Sequence, residues 1–174
     1  KDCGADAVKF QYFTKDNLFT SDYLDELDSG KVKLENVDKW EDNELGLTNI
    51  REQISAFTNS EKQLLIFRNY CNEIKIDFGC TPVDVDGIKF LSSIKSDFIK
   101  ISSMDANNLE MIDACIDTNL PIIISTGMAT LQDIDKIYNL FLQREYSNFS
   151  ILHCVSIYPP RDEIVNLNFI DTLK

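Results

Sequence analysis

Four short apolar runs begin at residues 75, 97, 122 and 149, each separated from the next by room for one helix, and a fifth lies near the start. The five read as strands: Ala7 to Gln11, Lys75 to Cys80, Asp97 to Ile101, Ile122 to Ser125 and Phe149 to Cys154. Helical periodicity fills the gaps between the last four. Val85, Ile88, Leu91 and Ile94 follow the second run; Leu109, Ile112 and Ile116 follow the third; Leu131, Ile134, Ile137 and Phe141 follow the fourth. Ser60-x-x-Gln63 and Thr130-x-x-Asp133 stand where capping boxes open helices. Strand, helix, strand at this rhythm is the signature of βα units in a parallel sheet, so the fold class is α/β.

The segment from Tyr12 to Asn59 breaks the rhythm. It is acidic and too long for one connection, with Trp40, Ile50, Ile54 and Phe57 as its main apolar anchors, and it reads as an elaborated loop with at least one helix, at about Asn49 to Phe57. Its acidic residues from Asp22 to Glu52 read as a solvated face rather than a catalytic cluster. With 174 residues, 44% of them hydrophobic, the chain can bury one core, so residues 1–174 are expected to form one unit.

Composition narrows the function. A formal charge of −12 leaves no basic footprint for a phosphate backbone, which argues against nucleic acid as a partner. The apolar runs fall far short of the roughly 20 residues that span a bilayer, so no membrane role is expected. The opening Lys1-Asp2-Cys3-Gly4 has no basic region followed by an apolar run and reads as a chain entered within an element, not as a secretory signal. Five widely spaced cysteines, Cys3, Cys71, Cys80, Cys115 and Cys154, make neither a disulfide framework nor a C-x-x-C zinc pattern, and point to the reducing cytoplasm.

Each run ends in small polar or ionisable residues: Lys9 and Gln11, Cys80-Thr81-Pro82, Lys100-Ser102-Ser103, Ser125-Thr126-Gly127, and His153-Cys154-Val155-Ser156. Parallel α/β folds gather their ligands at the carboxyl ends of the strands, so these clusters should meet in space. A closed barrel and an open doubly wound sheet both satisfy the rhythm. The absence of G-x-G-x-x-G and of a Walker-type phosphate loop favours the barrel.

Alternation puts Lys9 and Gln11 on one face of the first strand. A solvated edge lysine is one reading of Lys9; an anion site is the other, and Lys100 poses the same choice. His153, the single histidine, suits a metal ligand or proton shuttle as well as a hydrogen-bonded structural residue. Cys154, its strand neighbour, should point the opposite way, against a helix. Ser125-Thr126-Gly127-Met128 offers hydroxyls and free amides at a strand-to-helix turn, and Thr81-Pro82 reads equally as a placed hydroxyl or an ordinary turn.

Together these clusters resemble the N-acetylneuraminate (sialic acid) synthase family, which includes the legionaminate and pseudaminate synthases. The resemblance rests on Gly4-Ala5-Asp6-Ala7-Val8-Lys9-Phe10-Gln11, Thr81-Pro82 with Asp84, Lys100-Ile101-Ser102-Ser103, Ile124-Ser125-Thr126-Gly127-Met128, and Leu152-His153-Cys154 with Tyr158-Pro159, in the family's order over the whole chain. It implies a (β/α)8 TIM barrel, of which this chain holds about strands two to six with their helices. It implies that phosphoenolpyruvate condenses with an N-acylated aminosugar such as N-acetylmannosamine, giving a nine-carbon 2-keto sugar acid and phosphate. Carried over, Lys9, Thr81, Lys100, Ser103 and Ser125 would hold phosphoenolpyruvate, with Gln11 near the sugar. Lys100 and His153 would serve the chemistry, His153 by binding a divalent metal, manganese or magnesium.

Two departures bear on the sugar. Met104-Asp105 stands where the family has Gly-Glu, giving Asp105 a shorter reach, and Val83 replaces an aromatic residue after Thr81-Pro82. By the resemblance, the first barrel strand would precede Lys1; strands seven and eight, a second metal-binding histidine and an antifreeze-like domain that completes a homodimer's site would follow Lys174. The chain alone is therefore expected to be nearly inactive. A Schiff-base aldolase using Lys100 as nucleophile is the competing enzyme reading, and a truncated or partner-binding remnant the non-catalytic one.

Overall fold

The computed structural model describes residues 1–31, 50–157 and 159–173; Trp40 and Tyr158 lie outside them, as do the side chains of Ile50 and Glu52. Strands β1 (Ala7–Tyr12), β2 (Asp77–Pro82), β3 (Phe98–Ile101), β4 (Ile122–Ser125) and β5 (Phe149–Leu152) form one sheet in the order β1-β2-β3-β4-β5, every neighbouring pair parallel. Between β1 and β2 run α1 (Lys15–Leu18), α2 (Ser21–Asp28), α3 (Ile50–Phe57) and α4 (Glu61–Ile74). Helices α5 (Val85–Ser93), α6 (Leu109–Asp117) and α7 (Leu131–Gln143) connect the remaining strands, and α8 (Phe169–Thr172) follows β5. Spatial order equals chain order, with no reversal among the five strands. A doubly wound sheet requires such a reversal, whereas successive right-handed crossovers in one direction put the connecting helices on one face.

That face is the core. Phe78, Cys80, Ile99, Ile101, Ile122 and Ile124 alternate along the strands and are fully or almost fully buried, packed with Leu64, Leu91, Met111, Ile112, Ile137 and Phe141. Phe141 stacks on Phe149 with ring centroids 3.9 Å apart. The helices begin as their caps dictate: the Ser60 hydroxyl accepts from the Gln63 amide and that of Thr130 from the Asp133 amide, both closing capping boxes. Leu109 and Leu131, the first residues of two apolar stripes, stay exposed in the first turns while the later members are buried. On α2, Asp22, Asp25, Glu26 and Asp28 are exposed, as a solvated face should be.

The strand ends carry the main departures from the sequence reading. The second strand starts at Asp77, because Lys75 caps α4 in the left-handed region with φ 54°. The fifth ends at Leu152, so the alternation that would assign sides to His153 and Cys154 has already lapsed. At the amino end of β3, Arg68 holds Asp97 through two bonds of 2.8 and 3.1 Å, and the Phe78 amide donates to the same carboxylate at 2.8 Å, tying β2, β3 and α4 together away from the site.

Candidate functional site

The second face of the sheet is polar toward the carboxyl ends. Register puts Lys9 beside Gly79, Gln11 beside Thr81 and Lys100 beside Ile123, all on the face away from the helices. Gly79 is needed there: a Cβ at that position would lie 2.0 Å from the Phe98 ring, which covers it. Beyond this apolar floor the ionisable groups pair across strands. Lys9 Nζ donates to Thr81 Oγ1 at 3.3 Å, and Lys100 Nζ donates to Ser125 Oγ at 2.5 Å and to the Ile101 carbonyl at 2.7 Å. Lys9 is exposed on an outer strand, as the solvated reading expects, yet it reaches the buried Thr81; Lys100 is half-buried.

Hydroxyl accounting gives the arrangement its chemical sense. A serine or threonine hydroxyl has one proton to donate and two lone pairs to accept with. Ser125 Oγ accepts from Lys100 Nζ and also from Cys154 Sγ at 3.4 Å, which fills its accepting side. Thr81 Oγ1 accepts from Lys9, and Ser103 Oγ accepts from the Gly127 amide at 3.1 Å. Each of the three hydroxyls thereby accepts from the protein and keeps its own proton to donate. Donors and cations brought together, with no carboxylate among the described residues bonded to either ammonium, suit an anion.

Electrostatics agree. Burial pushes the Lys100 ammonium below its ordinary 10.5; Cys154 works against this, and the like charge of Lys9 adds to it. An anion placed between the lysines would relieve both costs. On the helix side of the same strands, burial drives the Cys80 and Cys115 thiols up to about 12, which keeps them protonated and inert.

The remaining sequence candidates lie at the rim. Gln11 has an exposed side chain, and its carbonyl accepts from Asn59 Nδ2 at 3.3 Å. Asp105 accepts from the Ser102 hydroxyl at 2.6 Å within its own turn. His153 packs its ring against Phe169 at 5.2 Å, and its Nε2 is buried with no hydrogen-bond partner among the described residues. The Cys154 thiol is not turned to the helix side as alternation expected: past the end of β5 it bonds Ser125. Strand alternation misplaced it because the strand had ended.

A metal poses a separate question of donors. The orphaned His153 Nε2 fits a lone pair kept for a ligand, but it is a single donor, and among the described residues no group of three or more His, Cys, Asp and Glu comes together. Any further ligands would have to come from outside those residues.

The NeuB family profile matches residues 1–174, the whole chain. The chain belongs to the NeuB family. Among NeuB relatives, an N,N'-diacetyllegionaminic acid synthase of Legionella pneumophila is 31% identical over 177 residues, covering 99% of this chain and 47% of the relative. An N-acetylneuraminate-9-phosphate synthase of Drosophila melanogaster is 35% identical over 115 residues, 66% of this chain and 31% of that protein. A crystal structure of the sialic acid synthetase of Leptospira borgpetersenii superposes with a TM-score of 0.75 at 26% identity, covering 99% of this chain and 51% of the other. The chain thus spans about a third to a half of the length of these NeuB relatives.

Proposed function

We propose that the protein is a sialic-acid-type synthase that condenses phosphoenolpyruvate with an N-acylated aminosugar of the N-acetylmannosamine kind. The five-stranded sheet is, in this reading, part of a (β/α)8 barrel, which its unreversed strand order supports. The observation that carries the function is the anion cradle: two lysines from β1 and β3 and three hydroxyls with protons left to donate, with no carboxylate among the described residues bonded to either ammonium. Lys9, Thr81, Lys100, Ser103 and Ser125 hold the phosphate and carboxylate of phosphoenolpyruvate, and Gln11 and Asp105 face the sugar. Carbon 3 of the enol phosphate bonds to the aldehyde carbon, whose oxygen takes a proton. Water adds at carbon 2 and phosphate departs, leaving a nine-carbon 2-keto sugar acid. Fixing the substrate in line for attack is the lysines' and hydroxyls' part in this.

His153 would hold a divalent cation, manganese or magnesium, which as a Lewis acid would polarise the aldehyde carbonyl. The proposal places the full-length enzyme in the cytoplasm as a homodimer. No helix among the described residues is long and apolar enough to cross a membrane.

The test is phosphate release from phosphoenolpyruvate with N-acetylmannosamine and related sugars, with and without manganese, by the protein expressed from its complete reading frame beside its His153→Ala variant. Release that needs metal and is lost in the variant supports the reading; a folded protein that binds manganese yet releases no phosphate with any sugar refutes it. The depressed Lys100 ammonium favours a second reading, since a Schiff-base nucleophile needs such an amine. Borohydride trapping of pyruvate on Lys100 would establish that aldolase instead.

A pH dependence follows from the same lysine. Its folded-state value lies below 10.5, so the ammonium is lost, and the anion's grip with it, at a lower pH than for an ordinary lysine. Stability moves the other way: raising the pH from that lowered value to the unfolded one removes a charge the fold disfavours, so the fold gains. The alkaline fall in kcat/KM for phosphoenolpyruvate is expected below 10.5, and Lys100→Arg, which stays charged, should shift it upward. An alkaline limb unchanged in that variant would assign it to another group.

A further inference from the structure

Gly127 sits where the exits of β3, β4 and β5 close on one another. Its amide donates to Ser103 Oγ at 3.1 Å, and Thr126 beside it donates to the Leu152 carbonyl through its amide at 3.2 Å and its hydroxyl at 2.9 Å. A Cβ on Gly127 would stand 2.6 Å from Ser156 Oγ, 3.1 Å from Ser103 Oγ and 3.2 Å from the Cys154 carbonyl. The first of these is shorter than real Cβ contacts, and the other two are tight enough that the Ser103 hydroxyl and the backbone at Cys154 would each have to give by a few tenths of an ångström. Gly127 is not among the glycines at positive φ, which are Gly4 and Gly30. Space, not backbone freedom, makes this position glycine.

We infer that Gly127 is a positioning residue of the anion site: its bare Cα lets the three strand exits meet, and its amide orients the Ser103 hydroxyl so that its proton points at the anion. The inference rests on the anion reading above and adds to it a residue that touches no substrate. By accepting from Gly127, Ser103 keeps its O–H free to donate. A methyl group at 127 pushes the Ser156 hydroxyl away and drags the amide off Ser103, so that hydroxyl loses its fixed direction. Ser156, an exposed residue, takes part as the obstacle only.

Titration calorimetry with inorganic phosphate, on the protein expressed from its complete reading frame, tests this. Gly127→Ala should weaken phosphate about tenfold, the worth of roughly one well-placed hydrogen bond. Ser156→Ala alone should leave affinity unchanged, and Gly127→Ala with Ser156→Ala should regain a good part of the loss, since the closest atom is gone. In turnover, the single variant should raise KM for phosphoenolpyruvate more than it lowers kcat, and the double variant should reverse the split. In the unmutated protein the Gly127 amide resonance should move on adding phosphate and should stop responding in Ser103→Ala, a readout that survives should Gly127→Ala not fold. If the unmutated protein binds no phosphate, the anion reading itself falls and takes this inference with it. If it binds and Gly127→Ala binds equally, or if the Gly127 amide stays still, only the positioning role is overturned. Ser156→Ala weakening phosphate as much as Gly127→Ala would make the Ser156 hydroxyl a ligand, against the steric account.

Discussion

Lys100→Ala should lower kcat/KM for phosphoenolpyruvate by about a hundredfold or more, an expected cost of roughly 3 kcal/mol for removing one partner of a half-desolvated charge contact. Lys100 is the group on which the site converges. It is half-buried on β3, bonded to Ser125 on β4 and to its own strand's Ile101 carbonyl, with the Cys154 thiol behind Ser125. Removing the ammonium takes away a cation and also frees a lone pair on Ser125. Lys9→Ala should cost less, because Lys9 is exposed and already competes with water for its charge. The double variant should fall short of the sum of the single losses, since in the proposed site both lysines serve one anion. Lys100→Arg keeps the charge but not the compact point-charge geometry, and should recover part of the activity. Steady-state kinetics on the protein from its complete reading frame measure all four. A Lys100→Ala enzyme within threefold of the parent would remove Lys100 from the site.

Much of this site could be read from residue order because the relevant signal is local. A lysine near a strand's carboxyl end, in step with a glutamine or a serine, declares its face by alternation, and Lys9, Gln11 and Lys100 share the face away from the connecting helices. The core was legible for the same reason: Ile99, Ile101, Ile122 and Ile124 alternate, and Ile134, Ile137 and Phe141 keep helical spacing.

What escaped was non-local or lacked its usual mark. Among the described residues five helices are followed by a left-handed residue, and only Gly30 after α2 is a glycine; the others are Lys75 (φ 54°), Lys95 (φ 55°), Asn119 (φ 56°) and Glu145 (φ 50°). Without the glycine that signals such turns, the start of β2 was set two residues early. The orientation of the Ser103 and Ser125 hydroxyls depends on partners 24 and 25 residues away, a matter of inter-strand distance that no local pattern encodes. The same holds for Cys154, whose partner Ser125 lies 29 residues back. Its adjacency to His153 suggested opposite faces only while β5 was taken to continue. Helices α1 and α2 were hidden in an acidic stretch whose one buried anchor among the described residues of α2 is Leu24.

Asp97→Ala should destabilise the fold by about 3 kcal/mol or more, the usual result of stripping the partner from a charge held out of water. The Arg68 side chain is 12% exposed, against 33% for Asp97, so the guanidinium is the member that cannot turn to solvent. Among the described residues its Nε lies buried without a hydrogen-bond partner, and the two bonds to Asp97 are its compensation there. Alanine at 97 would also leave the Phe78 amide without its carboxylate acceptor at the edge of the core. Arg68→Met should cost only about 1 to 2 kcal/mol, because methionine refills the apolar space of the arginine stem and Asp97 keeps the Phe78 amide and its access to water. The two losses should not add: with Arg68→Met in place, Asp97→Ala removes one bond in place of three and strands no charge. Chemical denaturation of the parent, both single variants and the double variant measures the cycle. Equal costs for the two single substitutions, or full additivity, would show that the pair is solvated and that strand pairing and apolar packing hold β3 beside β2 without it.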